Sequence, residues 1–385
     1  MTTPNFTEID TDKLRTEALG LVEERTGELL YPGDERRIFT DAIIYAMANF
    51  ASAVNEQCKA RLLPYASGYE LDALGERVYC TRLSPAPAHT TLRFTLSTAR
   101  PNDIIIPAAT TVTADNKVLF ATDAAATIPA GKLSVEGVTA TATIGGTVTN
   151  GVPVGAIQSF VDRVPFVTGV YNTTESSGGD AGEPYPRAID PQNGDDGAGD
   201  ESYRARIRLA PAAYSAAGSK SSYEYYTRTA SASVESVSVT SIQQEGKIIV
   251  YITEKGGVQP TEGTLEAVRA AITDDAVRPM NDLVEVAAPD EVEYTLDIDV
   301  FVSSDSSPSL IDAITGEGGA VAQYTAWQRA EIGRAINPYK LHALLDGLCE
   351  YAAIRSPEYR ALQPSQIAKL TGEPRVNIRN LDELA

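Results

Sequence analysis

Between residues 35 and 62 the apolar side chains recur at a helical interval. Phe39, Ile43, Ala46, Phe50, Ala53 and Gln57 follow one another at spacings of 4, 3, 4, 3 and 4, and Met47 and Val54 widen the stripe. This is the heptad-like seam of a long helix. About 27 residues at ~1.5 Å each make a rod of roughly 40 Å. The break Tyr31-Pro32-Gly33 precedes it. Asp34 is then placed to cap the helix, and Glu35 adds negative charge to its first turn. An amphipathic helix with Leu14, Ala18, Leu21 and Val22 on one face spans residues 11–25. The long stripe can pack within its own domain or against other chains. Its length, and the short stretch of chain before it, favour a shared bundle with Phe39, Ile43, Ala46, Met47, Phe50 and Val54 at the interface. Pro64 ends the rod, and residues 68–75 make a short helix with Leu71 and Leu74 inward.

The period then changes to two. Residues 91–97 place Leu92, Phe94 and Leu96 on one face, a half-buried strand. From 104 to 184, short runs of Val, Ile and Thr are broken by Gly, Pro and Asn, which predicts a β domain. Asp115-Asn116 reads as a hairpin turn within it. Residues 84–88, Ser-Pro-Ala-Pro-Ala, form a stiff linker, and residues 175–199 mark a boundary or an exposed arm. Asp200 is placed to cap a helix reaching Leu209. A second helix, 221–230, carries Tyr223, Tyr225 and Tyr226, read as packing residues. Strands follow at 234–242 and 247–252, then a helix from Thr261, a short strand at 283–286 and one long alternating strand over 291–302. Helices over 320–336 and 341–348 come next, and Val376-Asn-Ile378 adds a strand. The order β-α-β-β-α suggests a ferredoxin-like domain. The expected architecture is therefore a multidomain α+β chain: 1–83 helical, 84–183 β, 184–230 an acidic loop and helical connector, and 231–385 a ferredoxin-like α+β domain.

Charge narrows the function. The 385 residues carry 52 acidic and 32 basic side chains, a net charge of -20. That balance argues against nucleic acid, which requires a basic stripe, and against docking on an anionic membrane. The N-terminus lacks the positive and apolar regions of a signal peptide, and no apolar run approaches the ~20 residues needed to span a bilayer. Cys58, Cys80 and Cys349 are odd in number and widely spaced, so they read as reduced thiols. His89 and His342 lie far apart without companions, and no phosphate loop, dinucleotide fingerprint or nucleophile elbow appears. The acidic run 190–201 invites a calcium reading, but from Asp190 the third, fifth and sixth residues are Gln192, Gly194 and Asp195, which fails the EF-hand pattern. No catalytic, cofactor or metal site is expected.

Several strings resemble the baseplate J-like family of contractile phage tails and related injection machines. In the β domain these are Ile-Pro-Ala-Ala-Thr with the later Phe-Ala-Thr-Asp, Asn-Gly-Val-Pro-Val-Gly-Ala-Ile, and the Ser-Gly-Gly-Asp-x-x-Glu exit. Elsewhere they are Gly68, Leu71, Asp72, Leu74 and Gly75; Asp200, Arg204, Arg206 and Ile207 with the Ser215–Gly218 turn; and Arg278, Pro279, Met280, Asp282, Val284 and Val286. Ala109 departs from the pattern, standing where Gly is common. The resemblance implies a non-enzymatic wedge component of a virion tail baseplate, assembled in the host cytoplasm. It implies pairing with a second copy and with a smaller wedge protein like tail protein I, and contact with hub and sheath-initiator proteins. The C-terminal domain would then help close a ring, with Tyr324 and Trp327 as candidate contacts. The competing expectation is a receptor- or glycan-binding adhesin built on the β domain and its loops.

Overall fold

A computed structural model describes residues 4–8, 10–115, 117–214, 218–242, 246–274, 277–279, 282–303 and 308–380. Asn116 of the expected turn, residues 215–217 of the Ser-Ala-Ala-Gly turn and Met280 of the Arg-Pro-Met run lie outside the described residues. The chain divides into two compact units: Met1–Thr81 with Tyr185–Ile207, and Arg82–Pro184 with Arg208–Ala385.

The first unit is helical. It contains α1 (Thr11–Thr26), α2 (Glu35–Lys59), α3 (Gly68–Glu76) and most of α4 (Ala198–Leu209). Asp10 caps α1 by accepting from the amides of Asp12 and Lys13, and Gly27 ends it in the left-handed region. Asp34 caps α2 as expected, accepting from the Arg36 amide at 2.9 Å. The two helices form a hairpin. Arg15 pairs with Asp41 at 2.7 Å, and the Glu23 carboxylate accepts from the Leu30 amide at 2.8 Å. Rod α2 ends at Lys59, a few residues before Leu62.

The larger unit begins with the β domain. Its strands are β1 (His89–Leu96), β2 (Ile104–Ile106), β3 (Thr111–Thr113), β4 (Leu119–Thr122), β5 (Ala126–Ile128), β6 (Ser134–Ala142), β7 (Ser159–Phe160) and β8 (Val167–Asn172). Six of them form one antiparallel sheet in the order β7-β3-β4-β6-β1-β8, while β2 and β5 pair separately. Alternation along β1 sends Leu92, Phe94 and Leu96 into a core with Ile106, Val112, Phe120, Ile128 and Val170. Asn172 is buried within this domain. Its amide donates to the carbonyls of Pro153 and Thr174, and its oxygen accepts from the Ile157 amide, which closes the Gly-Val-Pro-Val-Gly loop onto β8. A buried side chain with every bond filled costs little and fixes the loop.

Next, α5 (Lys220–Ala230) and α6 (Glu262–Thr273) pack on a three-stranded sheet. The sheet joins β9 (Val234–Ile242), β10 (Lys247–Glu254) and β11 (Leu283–Ala287) in the order β11-β10-β9. Tyr223 and Tyr225 are buried, and Tyr226 packs against the same core.

The last part holds β12 (Asp290–Tyr294), β13 (Asp297–Val302), α7 (Pro308–Thr315), α8 (Ala320–Arg329), α9 (Pro338–Leu345), β14 (Tyr351–Ser356), β15 (Gln366–Leu370) and β16 (Arg375–Asn380). Strand β13 lies between β14, antiparallel, and β16, parallel, and β12 pairs with β15 in parallel. Three expectations change here. The segment 291–302 is interrupted after Tyr294, because its partner turns at residues 371–374, where Pro374 has no N–H to offer the ladder. The β-α-β-β-α series does not share one sheet: β9, β10 and β11 belong to one, and β12 onward to others. The single ferredoxin-like sheet is therefore not what the strand pairing builds. Helix α8 also stops at Arg329 rather than near Ile336. The tail does add a strand, β16.

Candidate functional site

Helix α2 has two faces of opposite character. Toward the hairpin lie Arg37, Asp41, Ile44, Ala48, Ala51, Asn55 and Cys58, buried or half-buried, again at alternating spacings of 4 and 3. This inward line is small and polar, with only Ile44 and Ala51 fully buried. Asn55 uses its side chain on backbone, accepting from the amides of Phe6 and Thr7. The outward line carries the large apolar groups. Phe39 and Phe50 are 67% and 71% exposed, and Ile43, Ala46 and Met47 are exposed with them, while Val54 is half-buried. Ile38 and Tyr45, one heptad apart and both exposed, extend the apolar face beyond the predicted stripe. Their sequence signal was the same seven-residue interval, displaced by one position. Monomeric proteins scatter single apolar side chains over the surface, whereas on α2 they form one contiguous stripe.

The helix is also braced at its start. The Arg36 guanidinium bonds Asp34 and Glu28, each at 2.8 Å, and holds the half-buried Asp34 carboxyl down to about 2. Helix α2 thus keeps its register at the cap, independently of anything on its outer face.

Behind it, the sequence-singled residues of α3 and α4 form a clamp within the same unit. The buried Asp200 carboxylate accepts from the Gly68 amide at 2.9 Å. Arg204 donates to the carbonyls of Leu63 and Ala66, Arg206 to that of Thr81, and the Tyr203 hydroxyl to that of Cys80. The Tyr185 hydroxyl donates to Asp72 at 2.6 Å. Asp200 stands inside α4, which begins at Ala198, rather than at its N-cap as expected. The Asp195 carboxylate takes the amides of Gly197 and Gly199 at that helix's start, and Asp190 takes those of Gln192 and Asn193. The acids of this loop serve as turn and cap acceptors.

In the larger unit, Tyr324 is fully buried, in ring contact with Tyr294 and Trp327. It has no surface to offer a partner, which corrects its assignment as a ring contact. Trp327 is half-buried, with Arg334 at 4.4 Å and Lys340 at 5.7 Å over its ring. Its apolar faces serve packing and cation–π contact. Arg278 donates to the Asp282 carbonyl, and the Tyr223 hydroxyl to the Asp282 carboxylate at 2.6 Å. These bonds account structurally for the Arg-Pro run.

Hydrogen bonds lower the carboxyl groups of Asp34, Asp115 and Glu291 below their ordinary range. Among the described residues Cys58, Cys80 and Cys349 form no disulfide; Cys80 is buried and the other two are half-buried. No described group of three His, Cys, Asp or Glu side chains could hold a metal, and no described helix is long and apolar enough to cross a membrane.

Two segments match known family models: residues 91–179 match the Baseplate J-like protein barrel domain, and residues 215–288 the Baseplate J-like central domain. Helix α2 lies outside both. Baseplate protein J of Escherichia phage P2 is 30% identical over 148 residues, which cover 38% of this chain and 47% of that protein. The match thus spans about half the length of this curated relative. A cryo-EM structure of the anti-feeding prophage baseplate, 6-fold symmetrised, aligns over 92% of this chain and 90% of its own, at 12% identity and a TM-score of 0.38. The two domain matches, in order along the chain, and the phage P2 relative support a baseplate J-like family.

Proposed function

We propose that the protein is a structural component of the baseplate of a contractile phage tail or a related injection machine, located in the assembled tail. In this reading it works by packing against other baseplate proteins and performs no bond chemistry. The observation that carries the reading is the outer face of α2, where Ile38, Phe39, Ile43, Tyr45, Met47 and Phe50 are exposed together on one helix. Burying such side chains is worth about 1.5–3 kcal/mol each against water. A helix pair that closed over this face would gain more than the thin α1–α2 contact supplies. We assign the face to a wedge bundle made with a second copy of this chain and a smaller tail protein. Such wedges ring a hub, and their rearrangement releases sheath contraction. The physical device would be alternative packings between subunits.

The test is the solution mass of the full chain, alone and co-expressed with the product of the adjacent tail gene, by light scattering after size exclusion. A stable complex with more than one copy of this chain is expected. Phe50→Asp, and separately Phe39→Asp, should abolish it while leaving the circular dichroism of the β domain unchanged. An intact complex from both variants would remove α2 from the interface. A wild-type monomer that ignores the co-expressed protein would overturn the wedge reading and redirect attention to glycan binding by the β domain.

A further inference from the structure

We infer that residues 254–264 are a keystone that locks the β domain, the β9–β11 domain and the C-terminal domain of the larger unit into one rigid lever. This stands apart from the α2 surface and from the baseplate reading.

Toward the β domain, Gly263 lies directly against backbone. A Cβ there would sit 3.3 Å from the Gly178 Cα and 3.6 Å from its nitrogen. Asp180, two residues on and buried, reinforces that seam. Its carboxylate accepts from the Gly182 amide, and from the Ser231 hydroxyl and Ser233 amide at the start of β9, each at 2.7 Å. The Asp180 backbone exchanges two 2.9 Å bonds with Ala86. The Lys255 amide donates to the Ser233 carbonyl, tying the keystone to the same turn.

Toward the C-terminal domain, Gly257 has φ +65° and faces Arg329, whose carbonyl oxygen occupies the space a Cβ would need. Gln259 donates to the Pro289 carbonyl at 3.0 Å, and the nearby Ser236 hydroxyl oxygen accepts from the Ile332 amide at 3.0 Å. The segment is itself pinned. Glu235 accepts from the Gly257 amide, and Glu254 from the amide and hydroxyl of Thr261, the cap of α6. Each seam contains a backbone-to-backbone approach at a glycine, which leaves little room for slip. A displacement of either outer domain is therefore passed to the other.

Native-state hydrogen exchange of the full chain in rising urea, read by mass spectrometry on peptides covering β1, β10 and β13, tests this. In the wild type the three peptides should lose protection at one urea midpoint. Gly263→Val should separate β1 from the other two, and Gly257→Val should separate β13, each by on the order of 0.5–1 M. Asp180→Asn keeps the side chain's shape but turns an amide toward backbone donors. It should also release β1, which provides a milder variant if Gly263→Val does not fold. Distinct wild-type midpoints would overturn the inference, as would substitutions that move all three peptides together.

Discussion

In β1, Leu92, Phe94 and Leu96 enter a core closed on every side by the strands of the same domain. In α2, Phe39, Ile43, Met47 and Phe50 face solvent, and the side turned to the rest of its unit is lined by Arg37, Asp41, Ala48 and Asn55. Both segments are periodic and apolar. They differ in whether the chain itself supplies the covering surface. Periodicity gives the secondary structure and the face; only the count of available partners says whether that face closes on self or on another molecule.

The comparison breaks most sharply at one aromatic from each region. Phe120→Ala in the β domain removes a fully buried ring and should cost about 3–5 kcal/mol. Phe50→Ala should change the stability of the isolated chain by no more than about 0.5 kcal/mol. Urea unfolding of both variants checks this. If Phe50→Ala proved as costly, the α2 face would be packed within the chain and the interface assignment would be lost.

A second contrast is polar. Buried hydroxyls in the β9–β11 domain belong to its cohesion, whereas the acids around α2 are surface caps. Tyr223→Phe removes the bond to Asp282 and should cost about 2 kcal/mol, as for hydrogen bonds to a charged group. It should do so without altering assembly, measured by the same light-scattering mass.

The next effect is set by pH. Burial pushes the Tyr324 phenol up to about 12, and Tyr223 and Tyr294 move the same way for the same first cause. The unfolded chain ionises these groups near pH 10 and the native state holds their protons longer. Their contribution is therefore complete below pH 10 and declines as pH rises toward the folded values. Between pH 9 and pH 11 the stability of wild type relative to Tyr324→Phe should fall by about 1 kcal/mol. An unchanged difference would show the phenol to be accessible. The helix hairpin, which buries no tyrosine on α1 or α2, should show no such slope.

Much of this was legible beforehand, where local pattern and partner coincide. The bounds of β9, the inward set of β1 and the cap at Asp34 follow from alternation and from short polar side chains at helix starts. Motif residues such as Asp72 and Arg204 could be singled out, but not what they grip. Tyr185 and Leu63 are 113 and 141 residues away from them, and no local spacing encodes such pairs. Tyr324 misled for a related reason: beside Trp327 on one helix, it looked as available for a surface as for a core. The division of strands between sheets was hidden likewise, since the β-α-β-β-α order is compatible with one sheet or several, and pairing partners decide. For the α2 face the stripe is readable, but a single heptad line leaves out Ile38 and Tyr45 on the neighbouring one.

The smallest effect tests strain inside the better-packed region. Ala109 has φ +60° and is exposed. Its amide donates to the Thr122 carbonyl at 2.7 Å, so the turn is held by the strand pairing rather than by any contact of the methyl group. An L-residue with a Cβ in this region carries about 1–2 kcal/mol of steric cost. Glycine removes that cost but adds about 0.4–1 kcal/mol of unfolded-state entropy. Ala109→Gly should therefore raise stability by about 0.5–1 kcal/mol, read as a higher urea midpoint with an unchanged slope. A lower midpoint would mean that the methyl group has a packing partner in the folded domain. The apolar accounting would then extend to the outer surface of the β domain, and its contrast with α2 would weaken.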